Sequence, residues 1–252
     1  MAIVSQENIL SILTTFNPWW QNGVVPKAFV KEFHRSSYYT CRKSLLSDLR
    51  RIVVMSGARR TGKTTIMYQL IHDLLEQGVK PQNILFFTFD HPLIRMAGMD
   101  QILNIYKNNI SDDAHFYMFV DEVQFDKDWT NYLKMAYDMN PDMRSVATGS
   151  ASAAIEDNVR ESGAGRWTVI KVTTLSFYEY CALKGISKAQ SVDDVFRIHT
   201  LSKQQQTQLM MGLSDLQIHL MRYMQIGGFP ELVKTEDVPY AQKLIREDVM
   251  DR

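Results

Sequence analysis

The sequence predicts an α/β fold of three layers, a central parallel sheet of five strands with helices over both faces, followed by a small helical region. Three observations predict it. Five short apolar runs alternate with helix-period segments, and most of the runs are apolar enough to be buried on both faces, as strands of a parallel sheet are. The first run, Arg51 to Ser56, leads directly into the glycine loop Gly57-Ala-Arg-Arg-Thr-Gly-Lys-Thr64, and a helix-period segment follows. The third run ends in the acidic pair Asp121-Glu122, 58 residues after Lys63.

In chain order, Ser5 is the expected N-cap of a short helix through about Thr15, which Asn17-Pro18 breaks. The cluster Phe16-Asn-Pro-Trp-Trp20 reads as an N-terminal arm packed on the domain, with stacking on a base or docking to a partner as the alternative. Tyr38 through Leu49 is expected to be helical and to feed the first strand. After the glycine loop, Ile66, Met67, Leu70, Ile71, Leu74 and Leu75 share one helix face, and Gly78 with Pro81 stops it. The second run, Ile84 to Phe89, ends in Asp90-His91-Pro92; the third is Phe116 to Val120, the fourth Ser145 to Thr148, and the fifth Trp167 to Val172. Helices are expected at about Ile94–Ile110, Trp129–Met139 and Ser152–Arg160. Beyond Phe177 the pattern turns to helices with polar linkers. Gln204-Gln-Gln206 reads as a loop or helix start, Leu213–Ile226 as a helix stopped by Gly227-Gly228, and Tyr240–Arg252 as a helix without a stop signal. That last feature predicts a chain cut from something longer. The expected organisation is an arm with helices over 1–48, a core over 49–176 and a helical, lid-like region over 177–252.

Strand, glycine loop and helix in this order make a phosphate-binding P-loop, the mark of a P-loop NTPase fold; a surface glycine turn is the bland alternative. Gly57 and Gly62 let the backbone curl so that its N–H groups face phosphate oxygens, and the first turn of the helix adds unpaired donors and a positive dipole end. The expected nucleotide-binding residues are Gly57, Ala58, Arg59, Arg60, Thr61, Gly62, Lys63, Thr64 and Thr65. Lys63 would bridge the β- and γ-phosphates, and the Thr64 hydroxyl would ligate Mg²⁺. Asp121 would hold the same Mg²⁺ through its water shell, from the tip of the strand beside the P-loop strand. Glu122 would face the γ-phosphate and orient or deprotonate a water. Ligands of such sheets sit at the carboxyl ends of the strands, where all these residues fall.

Thr148, at the end of the fourth run, is a candidate sensor of the γ-phosphate or the attacking water, and Ser150 competes with it; satisfaction of a local backbone group is the other reading of Thr148. Charge developing on the phosphoryl group calls for an arginine. Arg166 and Arg160 are candidates, in cis or across a subunit boundary, while Arg59 and Arg60 lie in the loop itself.

Composition narrows the class. The 252 residues are 45% apolar and 22% charged with zero formal charge, which excludes disordered and fibrous proteins and removes any global field for nucleic acid. Charge is unevenly spread: ten Lys/Arg against two acids from Lys27 to Lys63, and eight acids against two bases from Asp112 to Asp142. A solvated helix face explains the basic stretch more simply than a polyanion site. Cys41 and Cys181 lack metal-ligand spacing, which points to neither disulfide nor zinc and to a reducing, cytoplasmic setting. No apolar run is long enough to span a bilayer, so no membrane role is expected. The fourteen methionines are expected to be mostly core gap-fillers.

Several segments together carry a family likeness: GARRTGKTT at Gly57–Thr65, FTFDHPL at Phe87–Leu93, FVDEVQ at Phe119–Gln124, Trp129 with Tyr132-Leu-Lys134, ATGSAS at Ala147–Ser152, GRWTVIKVTTLSFYEY at Gly165–Tyr180 and GGFPELV at Gly227–Val233. Over Arg50 to Lys234 the chain resembles the AAA-type bacterial and archaeal ATPases that carry an uncharacterised C-terminal domain. The resemblance implies an AAA+/STAND-like ATPase core that uses ATP and Mg²⁺, with a P-loop, an acidic pair and a sensor strand. It also implies a C-terminal domain after the Gly-Gly-Phe-Pro-Glu segment, through which protein or DNA would be engaged. The leading expectation is an Mg²⁺-dependent ATPase that drives a conformational change of its C-terminal part. A nucleotide-gated switch binding ATP or ADP is the second, and a small-molecule kinase the third, disfavoured because the Gln204 region lacks clustered arginines. No Asn-Lys-x-Asp guanine motif is present. Oligomeric state stays open, because an arginine could come from a second subunit.

Overall fold

The computed structural model describes residues 5–150, 155, 159, 165–186, 199–235 and 237–247. Two compact units emerge. The first holds the described residues up to Ala58 together with Gly62–Val172, and the second holds Arg59–Thr61 with the described residues from Thr173 onward.

The first unit is built on a five-stranded, all-parallel sheet. Its strands are β1 (Ile52–Ser56), β2 (Ile84–Thr88), β3 (Tyr117–Asp121), β4 (Arg144–Gly149) and β5 (Trp167–Lys171), in the spatial order β2-β3-β4-β1-β5. All five residues of β1 and of β3 are buried. Successive strand side chains point to opposite faces, so both faces are covered and the layering is the expected one. One expectation is corrected: β4 lies between β1 and β3, so Asp121 does not end a strand adjacent to the P-loop strand. The register Met55↔Thr148 instead places Thr148 between the two functional strand ends.

Helices α1 (Gln6–Phe16), α2 (Trp19–Asn22), α3 (Ser36–Leu45), α4 (Lys63–Glu76), α5 (Pro92–Asn109) and α6 (Trp129–Met139) complete this unit. α3 packs on β1, β4 and β5, α4 on β4, and α1 with α5 on β2. Ser5 caps α1 as expected, its side chain accepting the Asn8 N–H. α5 breaks at Gly98, whose φ of +73° only glycine adopts freely. The helix expected over Ser152–Arg160 lies outside the described residues apart from Ile155 and Val159, both helical and buried.

The N-terminal arm closes the outer edge of the sheet. Among the described residues β2 pairs only with β3, and an open edge presents unpaired backbone groups. Asn17 covers them: its Nδ2 donates to the Phe86 carbonyl at 2.7 Å and its Oδ1 accepts the Phe86 N–H at 2.6 Å. Trp19 and Trp20 both donate their indole N–H to the Ile84 carbonyl, at 3.0 and 2.8 Å. The aromatic cluster is therefore the packed arm, and the two tryptophans are buried.

The second unit contains α7 (Phe177–Lys184), α8 (Lys203–Ile226), a 3-10 turn at Pro230–Leu232 and α9 (Val238–Ile245). α8 starts at the Gln204-Gln-Gln206 segment, the helix start of the two readings given for it, where Ser202 and Gln205 form a capping box, each side chain accepting the other's backbone N–H. The Gly227-Gly228 pair has a steric reason. A Cβ on Gly228 would lie 2.5 Å from the Leu175 carbonyl oxygen, and Leu175 N donates to Gly228 O at 2.6 Å. The methionine expectation fails in this unit: Met210, Met211, Met221 and Met224 of α8 are all exposed, as are Met96, Met135 and Met139 in the first unit. No helix among the described residues is long and apolar enough to cross a membrane.

Candidate functional site

β1 ends at Ser56 and the chain enters the glycine loop. Gly57 N donates to Gly149 O at 3.4 Å, tying the loop's start to the end of β4. Gly62 stands at φ +90° immediately before α4, a conformation that favours glycine, and Lys63 is the first helical residue. The Lys63 side chain is buried and folds back over the loop. Its ammonium donates to Gly57 O at 2.9 Å, Ala58 O at 2.8 Å and Ser150 Oγ at 3.3 Å. The cation is thus held at the mouth of the loop on neutral oxygens, which an anion would outcompete.

The acidic pair meets the loop across β4. Asp121 is 6% exposed and accepts three hydrogen bonds through its side chain and backbone. Thr64 Oγ1 donates to Asp121 Oδ2 at 2.9 Å, Thr148 Oγ1 donates to Oδ1, and Phe89 N donates to the Asp121 carbonyl. Burial pushes the Asp121 carboxyl above the usual carboxylate range, and the Glu122 charge adds to this; the Thr148 and Thr64 hydroxyls and the Lys63 charge pull the other way. A buried carboxylate beside a hydroxyl, both hard oxygen donors, fits a Mg²⁺ ion.

Glu122 stands at φ +54°, in the left-handed region that few non-glycine residues occupy. Its N–H donates to Thr148 Oγ1 at 3.2 Å. Its carboxylate accepts from Ser150 Oγ, at 3.1 and 3.0 Å to the two oxygens, and from Gln124 Nε2. Gln124 Oε1 in turn accepts the Ser150 N–H at 3.2 Å. The position between them has no room for a side chain: a Cβ on Gly149 would lie 2.0 Å from Ile155 Cδ1 and 2.9 Å from Gln124 Oε1.

The structure therefore brings Gly57, Ala58, Gly62, Lys63, Thr64, Asp121, Glu122, Thr148 and Ser150 to one edge of the sheet, with Thr65 on the first turn of α4. It separates the two sensor candidates. Thr148 bonds the Asp121 carboxylate and accepts the Glu122 N–H, while Ser150 is the hydroxyl that faces Lys63 and Glu122. Within the second unit, Arg60 stands at φ +62° and pairs with Glu231 at 2.7 Å, both side chains about two-fifths exposed, and Arg59 is exposed. Thr61 is buried.

Arg166 is corrected as a candidate in cis. It precedes β5, its carbonyl accepts the Ile52 N–H at 2.8 Å, and its guanidinium pairs with Asp138 at 3.0 Å. In a parallel sheet this is the amino edge, about 15 Å along the strands from the loop. Arg160 lies outside the described residues. The residue that sequence reasoning missed is Gln124. Its signal was its place in FVDEVQ, two residues after Glu122, but only the tertiary fold shows that it also reaches the end of β4.

Comparison with known proteins agrees with this architecture. The family model described as an AAA domain matches residues 49–181. An uncharacterized protein of Haemophilus influenzae is 28% identical over 193 residues, 74% of this chain and 41% of that protein. The uncharacterized protein MJ1544 of Methanocaldococcus jannaschii is 22% identical over 197 residues, 78% of this chain and 40% of that protein. The chain thus spans about two-fifths of the length of the curated relatives it matches. Among solved structures, the Aeropyrum pernix Orc1 protein in complex with DNA superposes with a TM-score of 0.49 at 13% identity, covering 91% of this chain and 69% of that one. So loose a structural likeness carries no functional inference. The family match does: it covers more than half of the sequence and contains the whole loop and acidic pair, and the chain belongs to the AAA-domain family.

Proposed function

We propose that the chain is an Mg²⁺-dependent ATPase whose nucleotide state changes the conformation of its C-terminal region. Family membership supports nucleotide binding of the ATPase type. The observation that carries the finer reading is the hydrogen-bonded line from Lys63 through Ser150 to Glu122, lying beside the Thr64–Asp121 pair.

Each residue has a role that follows from its chemistry. Backbone N–H groups of Gly57–Gly62 and the first turn of α4, which includes Thr65, bind phosphate oxygens. Lys63 supplies positive charge to the β- and γ-phosphates, and Thr64 with Asp121 would hold the Mg²⁺. When bound, that ion neutralises phosphate charge and orients the leaving group. Thr148 orients the Asp121 carboxylate, and Glu122 accepts a proton from the attacking water. The role left to Arg166 is on a nucleotide held by another copy. The region after residue 176 then reports the nucleotide state to a protein or DNA partner.

The test is Mg²⁺-dependent phosphate release together with labelled-ATP binding for the intact chain, Lys63→Ala and Glu122→Gln. The expected result is turnover by the intact chain, loss of binding in Lys63→Ala, and retained binding with turnover reduced about 100-fold or more in Glu122→Gln. No ATP binding by the intact chain would sink this reading. A second reading, a switch that binds ATP and hydrolyses it little, is favoured by one fact: both Glu122 oxygens already accept hydrogen bonds from the chain itself.

A further inference from the structure

α8 is apolar on two opposite faces, and the second unit uses one of them. On that face Ile226 is fully buried, the Tyr223 hydroxyl donates to the Leu175 carbonyl at 2.7 Å, and the Arg222 guanidinium donates to the Thr235 carbonyl at 2.9 Å. The other face is left exposed. Met210, Leu213, Leu220, Met221 and Met224 stand on it between 38% and 70% exposed, and Ile218 and Met211 widen it along one side. At 3.6 residues per turn these positions fall within about half of the helix circumference, opposite Ile226.

The chemistry of this face bears on what covers it. From Met210 to Gln225 it carries no charge, and only Ser214, Gln217 and Gln225 lie among its apolar residues. Its sequence is symmetric about Gln217: Met210 and Met224 lie seven residues to either side, Leu213 and Met221 four. The exposed apolar side chains offer on the order of 800 Å², which is one partner's share of a standard interface and more than most monomers leave open in one patch.

Each of these properties fits a second copy of the chain. A face without charge meets its own copy with no like-charge repulsion, and the zero formal charge of the chain removes repulsion at longer range. A two-fold axis sets one patch against itself, so an interface of this kind must be self-complementary. Antiparallel helices about an axis at Gln217 place Met210 against Met224 of the second copy, Leu213 against Met221, and the small Ser214 against the large Leu220. The two Gln217 amides meet at the axis, where each can donate and accept. Unbranched methionine side chains adapt to fill such a seam.

We propose that α8 is a dimerisation helix, two copies pairing antiparallel across a two-fold axis at Gln217 through the Met210–Met224 face. This goes beyond the ATPase reading and stands without it. The test is the mass of the full chain by sedimentation equilibrium from about 1 to 100 μM, for the intact chain, Leu213→Glu, Met221→Lys and the double variant. The expected mass of the intact chain at the upper end is twice 29.2 kDa. Each single variant places two unpaired charges in the seam and should weaken the dimer about 100-fold or more. The double variant sets opposite charges against each other across the seam, and does so only in the antiparallel register, so its dimer should recover to within about tenfold of the intact one. Damage to the helix itself would not be repaired by a second charge. A chain that stays monomeric at about 100 μM overturns the proposal and leaves the face to another protein. A dimer that the single variants leave intact, or that the double variant fails to recover, overturns it as well.

Discussion

Asn17→Ala is the substitution whose cost the structure specifies most directly. The side chain is fully buried, donating to Leu13 O and Phe86 O, each at 2.7 Å, and accepting from Phe86 N at 2.6 Å. Leu13 O keeps a partner after truncation, the Asn17 backbone N–H at 3.0 Å. Phe86 does not: its N–H and carbonyl face the edge of β2 that no described strand covers, beneath an arm that excludes water. An unsatisfied buried donor or acceptor costs about 1–3 kcal/mol, so two cost about 2–6 kcal/mol in all. For a unit of this size, a loss near 3 kcal/mol lowers Tm by about 6–12 °C. The assay is urea unfolding followed by tryptophan fluorescence and by circular dichroism, with the midpoint falling at unchanged m. Asn17→Asp is the control. It keeps an acceptor for the Phe86 N–H but turns a charged oxygen toward two carbonyls, so its native carboxyl is held above the unfolded value and stability recovers as pH falls. A loss below about 1 kcal/mol in Asn17→Ala at constant m would refute the edge-cap argument.

Other outcomes follow from the same contacts. Thr148→Val removes a hydroxyl donor from buried Asp121, so the Mg²⁺ concentration needed for half-maximal ATP turnover should rise about tenfold while ATP binding without metal is unchanged. Arg166→Ala loses an exposed pair with Asp138, so urea unfolding should show less than about 1 kcal/mol of change, and ATP binding by one chain should be unaffected. The Cys41 thiol is pushed up to about 12 by burial, so its thiolate fraction at pH 8 is negligible, and a thiol reagent should label it only at the rate of unfolding.

Much of the fold was legible because its signals are local. Apolar runs bounded by loop residues marked the five strands, and the Gly57–Thr64 loop between strand and helix marked the phosphate site. Ser5 as an N-cap is likewise a short-range contact. The start of α8 was equally local in origin, since Ser202 and Gln205 carry the S-x-x-Q capping pattern, yet polar composition left it open between a loop and a helix start. Methionine misled the reading for a different reason. Its apolar character predicts burial, but whether a helix face finds a partner depends on what packs against it, and the methionines of α8 are exposed.

Strand order was not legible, because parallel strands separated by crossover helices leave no record of their neighbours in the local sequence. That order is what inserts β4 between β1 and β3, sends Arg166 to the amino edge, and divides Thr148 from Ser150 in what each side chain meets. By itself, the sequence determined that this chain has a P-loop, an acidic pair and a parallel sheet to hold them, since each is written in contiguous residues whose backbone conformation follows from their own chemistry. Only the tertiary structure decided that Gln124 and Ser150 close on Glu122, because those contacts join strand ends 26 and 28 residues apart in the chain, and the fold alone brings such ends within hydrogen-bonding distance.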